Sequence, residues 1–182
     1  MIVRVRGGPF STIVADPPWL FRDRRNPRGG TEKHYAALAT KVIAQMNVGK
    51  LACERAHLYL WLVEAMAEDA YAVCRAWGFT PVQEVTWIKA APQVRIFGPP
   101  RARMGLGWYF RHVSERCLFG VRGKLRLLRR DAIPQIFEWR GGRHSQKPEA
   151  FMQLVEQCSP PPRLELFARQ KRSGWVSWGH EA

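Results

Sequence analysis

No two cysteines of this chain share a C-x-x-C spacing; the four stand singly at 53, 74, 117 and 158. That removes zinc ribbons and disulfide frameworks from consideration, and no metal site is expected. Each cysteine reads as a small buried apolar residue in a reducing compartment. The start, Met1-Ile2-Val3-Arg4-Val5-Arg6, carries no apolar signal core. No apolar run is long enough to span a bilayer, so a cytoplasmic location is expected. No stretch pairs a strong apolar face with a Lys/Arg face, which argues against a membrane-surface partner. Internal repeats and low-complexity linkers are also missing. The 182 residues, 46% of them hydrophobic, therefore read as a single domain spanning 1–182.

Acidic residues are scarce. Fifteen Asp and Glu stand against 29 Lys and Arg, a formal net charge of +14. Lys and Arg that neutralise phosphates release condensed counterions, so this excess points to nucleic acid as partner. Arginines cluster at 22, 24, 25 and 28, at 95, 101 and 103, at 122, 126, 129 and 130, and at 140 and 143. Most of these loops are expected to leave from one edge of the fold and to form a phosphate-binding rim.

Residues 11–15, Ser-Thr-Ile-Val-Ala, form a short run rich in β-branched residues and read as a strand. Two prolines after Asp16 remove backbone donors and end it, placing Asp16 at its carboxyl edge. In open α/β sheets ligands bind at that edge. Residues 20–31 read as a basic loop, 40–51 as a helix and 56–63 as a buried central strand. A helix over 64–77 stops at Gly78. Strands follow over 79–89 and 114–121, with a second basic loop over 90–109 between them. A short strand over 133–139, a helix over 148–158 opened by Pro148, and strands over 163–167 and 175–178 complete the chain. Strands alternating with helices imply an α/β sandwich with a mostly parallel sheet.

Asp16-Pro17-Pro18-Trp19 carries plausible chemistry. An exocyclic adenine amine is a poor nucleophile, because its lone pair is delocalised into the ring. A carboxylate and a backbone carbonyl that accept its hydrogens polarise the nitrogen and disperse the charge formed on alkylation. Asp16 supplies the carboxylate. The prolines aim the Pro17 carbonyl outward, and Trp19 offers a flat face to an unstacked base. A tight turn with Trp19 in the core is the plainer account of the same four residues.

The remainder of the chain resembles the MT-A70 family of adenine-N6 methyltransferases. The likeness runs through Ala15 to Trp19, His34-Tyr35, Leu60 to Val63, Ala76 to Phe79 and Thr86 to Lys89. It continues through Gly105 to Tyr109, Glu115 to Leu118 and His144 to Glu149, and closes with Leu164 to Arg169 and Gly174 to Glu181. The resemblance implies a Rossmann-like methyltransferase sandwich with permuted motif order, the catalytic motif preceding the cofactor motif. It implies S-adenosylmethionine as cofactor. Asp16, Pro17, Pro18 and Trp19 would then hold the target adenine. Asp16, Lys147 and the segment from Phe167 to Arg172 would face the cofactor, with Phe167 beside its adenine and Arg169 on its ribose. His180-Glu181 stands where the family usually has Asn and an acidic or amide residue. Larger relatives carry an acidic residue on an upstream strand for the cofactor's adenine, and residues 1–10 contain none.

Other positions keep two readings. His34-Tyr35 gates the site or packs on the body. Lys89 touches substrate or is a solvated strand end. Arg111 contacts substrate or pairs with Glu115, and Glu165 is structural or faces the cofactor. Trp61, Trp77 and Trp87 belong to the core, whereas Trp19 and Trp108 are the stacking candidates. Compact relatives resemble bacterial and phage DNA methyltransferases, so DNA is expected over RNA. The family also includes inactive scaffold subunits that have lost the tetrapeptide, which is intact here. A monomer or homodimer is expected, and a partner subunit is compatible with it.

Overall fold

Strand β1 (Phe10–Ala15) is the reference element of the structure, a computed structural model describing residues 2–20, 37–90, 109–110, 112–140 and 147–179. It is followed by two short helices, α1 (Thr40–Ala44) and α2 (Val48–Leu51), where one helix over 40–51 was expected. The helix breaks because its apolar residues follow one another too closely for a single face. Ile43, Met46 and Val48 are all buried, and the chain turns at residues 45–47 to bury them. Next come β2 (Ala52–Leu62), a 3-10 turn over Glu64–Met66 and α3 (Ala67–Ala76). Gly78, at φ 83°, ends that helix in the left-handed conformation glycine tolerates. Strands β3 (Thr80–Ala90), β4 (Ser114–Arg122) and β5 (Ile136–Arg140) follow. Helix α4 (Glu149–Cys158), with Pro148 at its N-cap, leads to β6 (Arg163–Leu166) and β7 (Trp175–Trp178).

The seven strands form one sheet in the order β5-β3-β4-β2-β1-β6-β7. All pairings are parallel except those of β4, which runs antiparallel to both β2 and β3. Helices cover both faces. One face carries α1 and α3 over Ile13, Leu58, Leu60, Leu118, Leu164 and Leu166. The other carries α4, whose Phe151 sits 4.6 Å from the Trp61 ring and 6.0 Å from Tyr59. Trp61, Trp77 and Trp87 are core residues, as their apolar runs implied. This is a Rossmann-like α/β sandwich with a mostly parallel sheet.

The connection after β1 leads to β2 on one side, while β6 lies against its other side. The strand order therefore reverses at β1, and a crevice opens between the carboxyl ends of β1 and β6. Because β4 runs backwards, its first residues lie at that same edge. Side chains alternate between faces with period two. Val14, Tyr59, Trp61, Trp87 and Cys117 pack in the α4-side cluster. Continuing that alternation puts Asp16, Lys89 and Glu115 on the α4 side of the same edge.

Candidate active site

Four charged side chains from four segments meet there. Lys147 Nζ lies 2.7 Å from Asp16 Oδ2 and 3.4 Å from Glu115 Oε2. Glu115 Oε1 lies 2.7 Å from Lys89 Nζ. Both ammonium groups sit over indoles, Lys147 at 4.9 Å from the Trp61 centroid and Lys89 at 5.7 Å from that of Trp87. The two rings pack edge to face at 6.3 Å and floor the cluster. Side-chain exposure of 19% for Lys147, 27% for Glu115 and 28% for Asp16 makes this a half-sheltered site, open enough to receive a ligand.

Burial works against the charge on Lys147, but Asp16 and Glu115 outweigh it and raise its pKa. Burial likewise works to raise the Glu115 pKa, and the two lysines overcome it and leave it lowered. Both groups are therefore ionised at neutral pH. The cluster holds two cations and two carboxylates, so no charge lacks a counter-ion. Asp16 Oδ2 is committed to Lys147, and among the described residues no hydrogen bond occupies Oδ1, which can accept from a ligand.

The Asp-Pro-Pro-Trp segment is tied down on its far side. Trp19 is 4% exposed and its Nε1–H donates to the Trp61 carbonyl at 3.0 Å. The expectation that Trp19 presents a stacking face is thus corrected: an indole carries a donor that must be satisfied, and the β2 edge satisfies it inside the core. Trp19 is an anchor for the loop. The Pro17 carbonyl accepts from the Trp19 N–H at 2.9 Å, and the Pro18 carbonyl accepts from Leu38 N–H at 2.7 Å. The Pro17 oxygen is therefore not free in the manner expected, although a second lone pair remains.

Across the crevice, Phe167 follows β6 with φ 63°, unusual for a bulky residue, and packs edge to face on Trp178 at 5.5 Å. The Ala168 N–H donates to the Trp178 carbonyl at 3.0 Å, which joins the turns after β6 and β7. Glu165 and Ser177 are register neighbours on these strands. Each has a buried side-chain oxygen, Glu165 Oε2 and Ser177 Oγ, with no hydrogen-bond partner among the described residues. Burial raises the Glu165 pKa, with Arg172 opposing. Such orphaned polar atoms at a strand edge are where a polar ligand is expected to complete the bonding. Arg169, in the turn after β6, is exposed, and its charge opposes that of Lys147. Arg172 is held by the Glu149 carboxylate at the start of α4, with Nη2 at 2.8 Å from Oε2. That engagement leaves it less available to a cofactor than expected.

Lys89 is no solvated strand end, since Glu115 and Trp87 hold it. Glu115 is the site residue that sequence reasoning left on the margin. Its expected partner Arg111 lies outside the described residues; among the described residues Lys89 and Lys147 hold its carboxylate. His34, Tyr35, Trp108, His180 and Glu181 also lie outside the described residues. So do the arginines of 22–28 and 95–103. The 122–130 arginines are placed at the opposite edge of the sheet, because β4 runs antiparallel and ends there; they cannot belong to a rim around Asp16.

The sequence profile of the MT-A70 family matches residues 10–181. Over 177 residues the chain is 29% identical to the probable N(6)-adenosine-methyltransferase MT-A70-like of Oryza sativa subsp. japonica, covering 96% of this chain and 23% of that protein. It is 26% identical over 177 residues to the Homo sapiens N(6)-adenosine-methyltransferase catalytic subunit METTL3, covering 96% of this chain and 28% of that one. It is 24% identical over 191 residues to the type II methyltransferase M.MunI of Mycoplasma sp, covering 94% and 77%. The chain thus spans about a quarter of the length of the two N6-adenosine relatives.

Proposed function

This chain belongs to the MT-A70 family, and from that premise and its site we propose that it methylates the N6 amine of adenine in nucleic acid, with DNA preferred over RNA and S-adenosylmethionine as methyl donor. The observation that carries the reading is the Lys147–Asp16 pair at the switch-point edge, 2.7 Å apart beside a proline-locked carboxylate loop. S-adenosylmethionine supplies, when bound, a methyl group on a positively charged sulfur. The chain's residues fit it: Glu165 and Ser177 offer buried oxygens without a hydrogen-bond partner among the described residues, Phe167 an apolar ring and Arg169 an exposed cation. Lys147, just before the α4 N-terminus, suits a carboxylate.

Asp16 Oδ1 accepts one N6 hydrogen and the free lone pair of the Pro17 carbonyl accepts the other. Both bonds would strengthen as nitrogen takes the methyl group, the methyl–sulfur bond breaks to leave a neutral thioether and nitrogen becomes positive, so they favour the transition state over the bound substrate; the surplus N6 proton would leave to solvent past Asp16. Lys147 fixes the orientation of Asp16 through Oδ2 without taking both oxygens. Trp19, fixed to Trp61, keeps the loop from yielding when a base enters. The net charge of +14 supports a nucleic-acid substrate, and the preference for DNA is supported by coverage of 77% of the type II methyltransferase.

The test is methylation of matched single- and double-stranded DNA and RNA with labelled S-adenosylmethionine, followed by nucleoside analysis. N6-methyladenine in DNA is the expected product. Label confined to RNA would reverse the polymer assignment, and label on any other base would refute the proposed chemistry.

A further inference from the structure

The basic segment after β4 does not serve the Asp16 edge, yet it is built as firmly as a strand. Residues 122–130 contain five Lys and Arg and no acid. Gly123, at φ 64°, makes the turn, and a Cβ there would meet the Glu54 carbonyl at 2.6 Å. The Leu125 carbonyl accepts from His57 Nε2 at 3.2 Å, and Leu128 N–H donates to the Cys158 carbonyl at 2.8 Å. Arg55 Nη2 donates to the Lys124 carbonyl at 3.3 Å, and Arg129 Nη1 to Gln157 Oε1 at 3.1 Å. These bonds fix the backbone across the C-terminal end of α4. Arg129 is neutralised by Asp131. Lys124, Arg126 and Arg130 are left exposed on the outside of this strap.

The strap and the Asp16 cluster lie on the same side of the sheet, at the two ends of α4. Lys147 precedes the helix and Leu128 bonds its last residue. Along β4, Glu115 and Arg122 are seven residues apart, so the two sites are separated by about 24 Å at ~3.4 Å per residue. A straight polyanion lying along α4 reaches both, and at about 3.4 Å per nucleotide along each strand of B-DNA the gap is roughly seven base pairs. We propose that Lys124, Arg126 and Arg130 form a second nucleic-acid contact, which grips the sugar-phosphate backbone about seven base pairs from the target adenine. This rests on the reading of the chain as a nucleic-acid methyltransferase, and it adds a place where substrate is held without chemistry. Such contacts position the polymer and carry no sequence information.

The test replaces all three residues at once, Lys124→Gln with Arg126→Gln and Arg130→Gln, which leaves every backbone anchor in place. Binding of a 30-base-pair duplex is measured by fluorescence anisotropy without cofactor and compared with a short duplex, a hairpin of four stem base pairs that cannot span the gap of about seven. The expected result is at least tenfold weaker binding of the long duplex, with the slope of log K against log salt reduced by about 2 to 3, near 0.9 per lost phosphate contact. Binding of the short duplex and kcat at saturating DNA should stay within twofold of wild type. Unchanged affinity and slope for the long duplex would overturn the proposal, as would equal weakening of both duplexes. Loss of binding to phosphatidylserine vesicles with DNA affinity intact would also overturn it, by assigning the strap to lipid. Because binding is read without methyl transfer, a wild type that methylates nothing would sink the proposed function, while strap-dependent affinity would still stand.

Discussion

Replacing Lys147 with methionine removes one charge and keeps most of the apolar stem over Trp61. In the wild type a single nitrogen serves two carboxylates, Asp16 at 2.7 Å and Glu115 at 3.4 Å. After the change Glu115 retains Lys89, whereas Asp16 loses its ion-pair partner. Removing one partner of a fully buried pair costs about 3–5 kcal/mol, and exposed pairs contribute about 0–1 kcal/mol. Exposures of 19% to 28% put this cluster between those limits, so a loss of about 1–3 kcal/mol is expected at neutral pH. At roughly 2–4 °C per kcal/mol for a chain of this size, the melting temperature should fall by about 2–12 °C. The penalty must depend on pH. The Glu115 pKa is lowered below its ordinary 4.5, so its stabilising contribution is present above that value and lost as pH falls through the lower, folded value. Melting curves of both proteins, recorded from pH 7 to pH 3, should therefore converge at the acid end. A difference as large at pH 3 as at pH 7 would show that the penalty does not arise from the carboxylates, and the electrostatic account would fail.

Trp19→Phe keeps the ring but deletes the donor to the Trp61 carbonyl; an orphaned buried acceptor costs about 1–3 kcal/mol, read as a lower denaturation midpoint, and an unchanged midpoint would contradict the anchoring role. Burial lowers the pKa of His57 from 6.5, with the Leu125 bond opposing, so the unfolded chain binds protons that the folded one refuses and stability falls as pH drops below 6.5. The slope of stability against pH just below 6.5 should accordingly be smaller in His57→Gln, and an identical slope would show that another group titrates there. A Cβ at Gly179 would lie 2.2 Å from the Ala168 carbonyl oxygen, so Gly179→Ala must force apart the turns after β6 and β7. Calorimetry should find S-adenosylmethionine bound at least tenfold more weakly, and wild-type affinity would remove that turn from the cofactor site.

The parallel frame was legible because its signals are local. Thr12, Ile13 and Val14 favour a pleated strand, Pro17 and Pro18 end it, and Gly78 ends α3. The direction of β4 was not legible, because nothing in residues 114–122 records which way their neighbours run. That one orientation decides where the 122–130 arginines go, and it moved them away from the rim to which they had been assigned. The Lys147–Asp16 pair spans 131 residues, so no spacing rule could have revealed it. A signal for Glu115 did exist, in its alternation with Cys117 and Phe119 on the α4 face, but it becomes readable only once the strand is placed at the Asp16 edge. Trp19 was misread from its position in a loop; the clue available was that an indole N–H needs an acceptor, which the Trp61 carbonyl supplies.

The central claim is that the Asp16 carboxylate assists methyl transfer to N6. Its most direct test is single-turnover methylation of DNA by Asp16→Ala, with the melting temperature and S-adenosylmethionine affinity measured on the same preparation. The account predicts a methylation rate reduced by about 10²–10³-fold, the scale of losing an oriented electrostatic partner of the transition state, in a folded protein that still binds cofactor. A rate within a few-fold of wild type would contradict it.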